Sequence, residues 1–328
     1  MQKSQAKLDA LSRRILFELD GDARAPLARM ARKLKISPQR LAYRIRALEK
    51  AGIIKGYTAL IDYKSAGYTF YTAYYALKNI SPRVLAKFAR FLLAEPKVCI
   101  LLACEGRWDV MVGVLARDPL EFYNILLAVR NRFGGYILER TILTHIGARH
   151  CRRKYLVGKE FSEEEFVHIT GGKLSRVHLV RGDEELLRAL SDNARAGVLE
   201  LATRLGESPH TVRSRLRRLM RERIILRTGF LPDHARYGYA YKRVLLSLYH
   251  TTAERFELLK NFLVQHPNVK RTTSTFGRYD LVVDGEFESE QDFRAFITEL
   301  RTKFGGMISS YDTLNVLKIY RFRFFPCA

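Results

Sequence analysis

Two stretches of the chain carry side chains suited to gripping a polyanion: Ser37 to Ile54, SPQRLAYRIRALEKAGII, and Ser208 to Ile225, SPHTVRSRLRRLMRERII. In each, the serine hydroxyl can accept from an orphan backbone N–H and the proline after it suits the first helical position. Both stretches therefore read as helices with defined starts. Leu41, Ile45 and Leu48 make an apolar stripe at helical spacing and leave Gln39, Arg40, Tyr43, Arg46, Ala47 and Lys50 on the opposite arc. Val212, Leu216 and Leu219 do the same in the second stretch, so that His210, Thr211, Ser214, Arg217, Arg218 and Arg221 face outward. An arc of guanidinium, hydroxyl and amide groups without acids suits the DNA major groove, where such groups meet base edges and phosphate oxygens. Ser37, Ser208, Arg44 and Arg215 join these as candidate contacts. A merely solvated helix could show this pattern once; its return in a matching context argues for a shared task.

No catalytic chemistry competes with this reading. Patterns of the G-x-S-x-G, P-loop, H-E-x-x-H and G-x-G-x-x-G kinds do not stand out, and the eight histidines are scattered. Cys99, Cys104, Cys151 and Cys327 form no C-x-x-C pair and have no histidines at zinc-finger spacing. They read as ordinary thiols of a reducing compartment, and neither metal nor cofactor is expected. No apolar run approaches the roughly 18–20 residues of a membrane helix, and MQKSQAKLDALSRR has no signal-peptide core. A cytoplasmic protein without a membrane partner is the expectation. A net charge of +23 spread along the 328 residues favours nucleic acid over an inert basic surface.

The elements that must position these helices occur twice. Ala23-Arg24-Ala25 matches Ala194-Arg195-Ala196, Gly67-Tyr68 matches Gly238-Tyr239, Gly106 matches Gly277, and Phe133-Gly134-Gly135 matches Phe304-Gly305-Gly306, always 171 residues apart. Solenoid units are far shorter, so this is a duplicated module of several elements. In copy one, Leu8 to Leu19 has helical periodicity and Asp20-Gly21-Asp22 supplies a stop. Pro26 to Lys33 makes a short helix, the Ser37 helix follows, and Ala51-Gly52 ends it. That is a helix-turn-helix, with Ile53 to Leu60 as a plausible wing.

Beyond Phe70 the order is strand (to Leu77), helix (Pro82 to Glu95), strand (Val98 to Glu105), strand (Asp109 to Ala116), helix (Pro119 to Arg132) and strand (Ile137 to Thr144). This βαββαβ plan is ferredoxin-like. Copy two repeats it with Val244–His250, Ala253–Gln265, Val269–Thr275, Asp280–Glu286, Glu290–Lys303 and Met307–Asn315. The hairpin ILLA and VMVGVLA is apolar on both strand faces, which predicts a second sheet packed against the open side. The expected class is α+β, in five parts: helix-turn-helix 1–62, ferredoxin-like 63–149, connector 150–178, helix-turn-helix 179–233 and ferredoxin-like 234–328. A connector of about 30 residues is long enough for the copies to pair within one chain, the alternative being exchange between two chains.

With LDALSRRILFEL, DGDARAPLARMARKL, SPQRLAYRIRALEKAGIIKGYTALID, EGRWDVMVGVLA and FGRYDLVVDGEF in view, the chain resembles the Lrp/AsnC (feast/famine) transcriptional regulators, in a tandem form of the sort found in archaea. The resemblance implies a winged helix-turn-helix joined to a ferredoxin-like sensor domain that pairs through its sheet, here as an intrachain pseudo-dimer or a higher homo-oligomer. Its implied partners are double-stranded DNA and an amino-acid effector. The turns holding Gly106, Arg107 and Asp109, and Gly277, Arg278 and Asp280, match positions bordering the family's effector pocket. Asp109 and Asp280 read equally well as turn carboxylates capping backbone N–H groups.

Copy two departs from the pattern. Arg223 replaces the helix-ending glycine, Arg227-Thr228 replaces the wing, and the outward helix face differs, so the two half-sites should differ. Gln39, Tyr43, His210 and Ser214 are the expected base readers. Siroheme decarboxylases resemble this architecture, which makes a tetrapyrrole enzyme the alternative. Against it, CILLACEG and RTTSTFGR hold no evident constellation of histidine, tyrosine and arginine.

Overall fold

The computed structural model describes residues 8–158, 166–169 and 179–327. Its first helix, α1 (Ala10–Gly21), starts where the Asp9 carboxylate accepts from Ser12 N at 2.7 Å. It ends at Gly21 with Asp22 as its C-cap, inside the expected Asp20-Gly21-Asp22 stop, and Asp20 is turned inward as an ion-pair partner of Arg153 and Lys270. Helix α2 (Leu27–Leu34) ends on Lys35 in a left-handed conformation, and α3 (Pro38–Lys50) opens with Ser37 Oγ accepting from Arg40 N at 3.2 Å. In copy two, α6 (Arg181–Asp192), α7 (Val198–Leu205) and α8 (Pro209–Arg221) repeat the arrangement, with Ser208 Oγ accepting from Thr211 N at 3.1 Å. Arg223 takes over the role of Gly52: their φ values are 58° and 72°. The turn survives without glycine at a cost of about 1–2 kcal/mol.

Strand β1 (Ile54–Ile61), which follows α3, pairs antiparallel with β7 (Ile225–Pro232), which follows α8. The expected wing strand thus joins the two copies in one ribbon. Matching bonds reinforce it, Ala23 N to Thr228 O at 3.3 Å and Ala194 N to Tyr57 O at 3.2 Å. Arg24 Nη1 also donates to the carbonyls of Ala194 and Ala196 at 2.7 and 2.8 Å. The repeated Ala-Arg-Ala triplets are therefore contacts between the copies.

The first βαββαβ unit is β2 (Thr69–Leu77), α4 (Pro82–Leu93), β3 (Val98–Gly106), β4 (Val110–Ala116), α5 (Pro119–Phe133) and β5 (Ile137–Cys151). After β6 (Phe166–Ile169), which pairs with β5, and the short α9 (His234–Tyr237), the second unit is β8 (Ala240–Leu248), α10 (Ala253–Gln265), β9 (Val269–Gly277), β10 (Leu281–Phe287), α11 (Glu290–Phe304) and β11 (Ile308–Phe322). The connector's acidic run and its Gly171-Gly172 turn lie outside the described residues.

The sheets run β5-β2-β4-β3 and β11-β8-β10-β9, and their edges also pair, β3 with β11 and β5 with β9. Where the apolar hairpin predicts facing sheets, the strands form a closed ring with a common interior. Leu101, Val110 and Val112 face Phe88, Leu92, Phe122 and Leu126 of the helices, while Ile100, Leu102 and Met111 join the interior core. Both faces of the hairpin are buried, as its sequence requires. In copy two the outward residues Leu281 and Val283 pack on Leu259, Leu263 and Phe296. Inward positions instead hold buried charges, Arg243, Arg271, Asp284 and Glu286. These charges sit on the neighbouring strands β8, β9 and β10 of copy two, Arg271 within RTTSTFGR itself.

Asp284 accepts from Arg243 Nε and Arg271 Nε, both at 2.7 Å, and from Tyr241 OH at 3.0 Å. Burial alone would raise its pKa, but the Arg243 and Arg271 guanidiniums outweigh that and hold it near 2. Since the folded pKa lies below the ordinary 3.8, the stabilisation is present above that value and is lost as pH falls from about 4 toward 2. In a series of unfolding curves, Asp284→Asn is expected to be less stable at pH 7 and to show a shallower loss across this acid window.

The ring's seams also constrain the backbone. Gly106 has φ 132° and Gly277 φ 142°, and a Cβ on either would stand 2.5 Å from a carbonyl oxygen of the other copy, Thr313 O or Ile142 O. Gly106→Ala should lower stability by at least about 1–3 kcal/mol, read as a lower urea midpoint.

Candidate nucleic-acid interface

Helices α3 and α8 meet the protein through Leu41, Ile45 and Leu48, and through Val212, Leu216 and Leu219. Ser37, Gln39, Arg40, Tyr43, Arg46 and Lys50 are exposed on α3. Tyr43 keeps 67% of its surface in solvent. On α8, Ser208, His210, Thr211, Ser214, Arg217 and Arg221 are exposed. Ser37 and Ser208 each accept a backbone N–H, which fixes the helix starts.

Three predicted contacts are engaged inside the protein. Arg44 pairs with Asp9 at 3.0 Å. Arg215 Nε lies 3.2 Å from Asp183 and its Nη1 2.7 Å from Glu207, while Arg218 reaches the same Asp183 at 2.5 Å and Glu222 at 3.1 Å. Asp183 is fully buried at the start of α6, so these arginines lock α8 onto α6. The helical wheel placed Arg218 outward; a carboxylate from a neighbouring helix draws it back. Arg213 was overlooked. It is exposed one turn before Arg217, and that i, i+4 spacing was the available signal. Among the described residues, no carboxylate lies within ion-pair distance of Arg40, Arg46, Lys50, Arg213, Arg217 or Arg221. These cations remain available for phosphates.

The turns expected to border an effector pocket lie together at the seams. Asp109 Oδ2 accepts from Leu77 N and Asp280 Oδ2 from Leu248 N, each at 2.7 Å. Of the two readings open for these carboxylates, the structure displays the backbone cap. Arg107 and Arg278 converge on one carboxylate, Glu139, at 3.1 and 2.7 Å. Between them, the equivalent residues Trp108 and Tyr279 meet, indole Nε1 donating to the phenol oxygen at 3.1 Å, both buried. Tyr279 in turn donates to Asp312 at 2.5 Å. Gly106 and Gly277 permit the close seam approach described above. All six turn residues thus have structural contacts at the seams.

Comparison with known proteins agrees with this geometry. Residues 8–55 match a winged helix-turn-helix DNA-binding family, and residues 181–220 match the AsnC-type helix-turn-helix domain. The proline dehydrogenase transcriptional activator of Rhodobacter capsulatus is 34% identical over 122 residues, covering 36% of this chain and 78% of that protein. The transcriptional regulator LrpA of Pyrococcus horikoshii is 34% identical over 119 residues, covering 36% and 83%. This chain belongs to the Lrp/AsnC family of transcriptional regulators. Its helix-turn-helix units are accordingly of the DNA-binding kind that the family uses.

Over its whole length, this Lrp/AsnC protein also shares a fold with the siroheme decarboxylase NirDL: TM-score 0.61, 13% identity, 97% of this chain and 94% of that one. That likeness is one of fold. No described helix is long and apolar enough to cross a membrane.

Exposed and engaged arginines should separate in experiment. Arg217→Ala is expected to weaken DNA binding at least several-fold with thermal stability unchanged. Arg218→Ala, which strips a partner from buried Asp183, should instead lower the melting temperature; fluorescence anisotropy and thermal denaturation on the same preparations would show the split.

Proposed function

We propose that this chain is a sequence-specific transcriptional regulator that lays α3 and α8 in the major groove of one DNA site, a single polypeptide acting as a pseudo-dimer. Residues 1–62 and 179–233 form the DNA-reading layer, 63–149 and 234–328 the sensor ring, and 150–178 the connector. The observation carrying this reading is the pair of serine-capped basic helices with solvent-facing arcs, each running directly into one strand of a shared ribbon. Gln39, Tyr43, His210 and Ser214 read bases, while Arg40, Arg46, Lys50, Arg217 and Arg221 hold phosphates. Because the arcs differ, the half-sites differ in sequence; they lie roughly 34 Å or a multiple apart along the duplex. A small effector bound by the sensor strands modulates the grip.

A mobility-shift series on DNA upstream of the protein's own gene tests this. Five phosphate contacts predict a loss of affinity of about 500-fold between 50 and 200 mM salt, with one chain protecting both half-sites. Salt-independent or absent binding would overturn it.

The alternative is a tetrapyrrole enzyme of the same architecture, and the buried arginines, tyrosine and acids of the ring are the observation in its favour. Mixing the chain with siroheme separates the readings, since the regulator leaves the pigment's visible spectrum unchanged.

A further inference from the structure

Between the β1–β7 ribbon and strands β8–β11 lies a chamber of about 440 Å³, within the range of small-molecule sites. The charges on its β9 and β10 walls have no charged counterparts in copy one. Where copy two places Lys270, Arg271, Asp284 and Glu286, copy one has Cys99, Ile100, Gly113 and Leu115 at the equivalent positions. The same strands of the same fold therefore pack there without charge, and a Cβ on Gly113 would press on the Phe70 ring at 2.6 Å. Burying ion pairs where apolar residues suffice is not explained by stability.

The chamber is also cationic overall, with seven lysines and arginines on its walls against four aspartates and glutamates. On the ring side Arg271 pairs with Asp284, Arg153 with Glu286 and Asp20, Lys270 with Asp20 and Arg323 with Asp192, while Arg321 donates to the backbone carbonyls of Leu93, Glu95 and Val98. On the ribbon side, Lys55 and Arg227 have no carboxylate within ion-pair distance among the described residues. Among the described residues, Arg227 donates a long 3.4 Å bond to the Cys151 carbonyl.

We propose that this chamber is the effector site, taking a small ligand with two or three negative charges, a polycarboxylate or a phosphorylated metabolite, which bridges the ring to Arg227 and Lys55 of the ribbon. The ribbon strands continue directly from α3 and α8, so an occupant bears on the placement of both recognition helices. The coupling rests on the regulator reading above; the binding itself does not.

Calorimetric titration of the full chain, without DNA and at constant ionic strength, with citrate in one arm and inorganic phosphate in the other, tests the site. Saturable binding of at least one anion, one per chain, is expected, and the arm that binds tells carboxylate from phosphate chemistry. Arg227→Gln should weaken it at least tenfold, while Lys87→Gln on α4 leaves it unchanged. A second measurement needs no variant. Lys270 faces Asp20, Arg153, Arg227 and Glu286; its burial and the neighbouring guanidiniums bring its pKa to about 8. An added anion raises it, so binding at pH 8 must take up protons, seen by comparing buffers of different ionisation heat. Failure of both anions to bind saturably, binding indifferent to Arg227→Gln, or binding without proton uptake would each overturn the proposal. Because no DNA is present, such a failure leaves the DNA-binding reading standing, and lost DNA binding with citrate binding intact would sink only that reading.

Discussion

The constraint on which this structure turns is that neither ferredoxin-like sheet keeps a free edge. Each four-stranded sheet would expose unpaired N–H and C=O groups at two sides, an invitation to wrong pairing. Pairing β3 with β11 and β9 with β5 satisfies all four edges from inside one chain. That closure explains the glycines at 106 and 277, since the seams bring one copy's turn onto the other copy's backbone. It also brings Trp108 and Tyr279, equivalent residues, into a direct hydrogen bond. The helix-turn-helix units obey the same logic through the β1–β7 ribbon, where α1 of copy one packs on β7 of copy two. Neither copy is a finished object alone, and each recognition helix is held partly by the other half of the chain.

Much of this was legible because it rests on local rules. Serine and proline at 37–38 and 208–209 mark helix starts whatever the tertiary context, and the structure uses both serines as caps. The doubly apolar hairpin correctly demanded cover on its second face. What stayed hidden involves partners distant in the chain. Nothing near Arg218 announces that Asp183, on a helix two elements earlier, will claim it. Nothing near Asp20 announces Lys270, 250 residues away. Asp20, read only as part of a helical stop, also serves as a buried counter-charge.

The buried cluster shows a further limit of reading strands by pattern. Within RTTSTFG and LVVDGEF, single charges look like the solvent-facing half of an alternating strand. Ring closure reverses that inference, because the alternate face points inward. Once the interior holds one carboxylate, others must answer it. Asp284 draws Arg243, Arg271 and Tyr241, and Arg243 extends the set across the ring to Tyr74 of copy one at 3.2 Å.

Duplication supplies its own control for judging that cluster. Two copies of one backbone face the same packing problem, and copy one solves it with Phe70, Thr72, Ile100, Gly113 and Leu115, none of them charged. Breaking a buried ion pair is costly, yet replacing the whole set by fitted apolar groups is commonly neutral or stabilising. A drift from apolar to charged would pass through unpaired intermediates, each destabilising by several kcal/mol at ordinary magnitudes. Stability therefore gives no route into the charged state and little reason to remain there. Since the polar half is the one that abuts the ribbon near Arg227, the difference between the copies lies where the ring could influence the DNA-reading helices, and the symmetric remainder serves as scaffold.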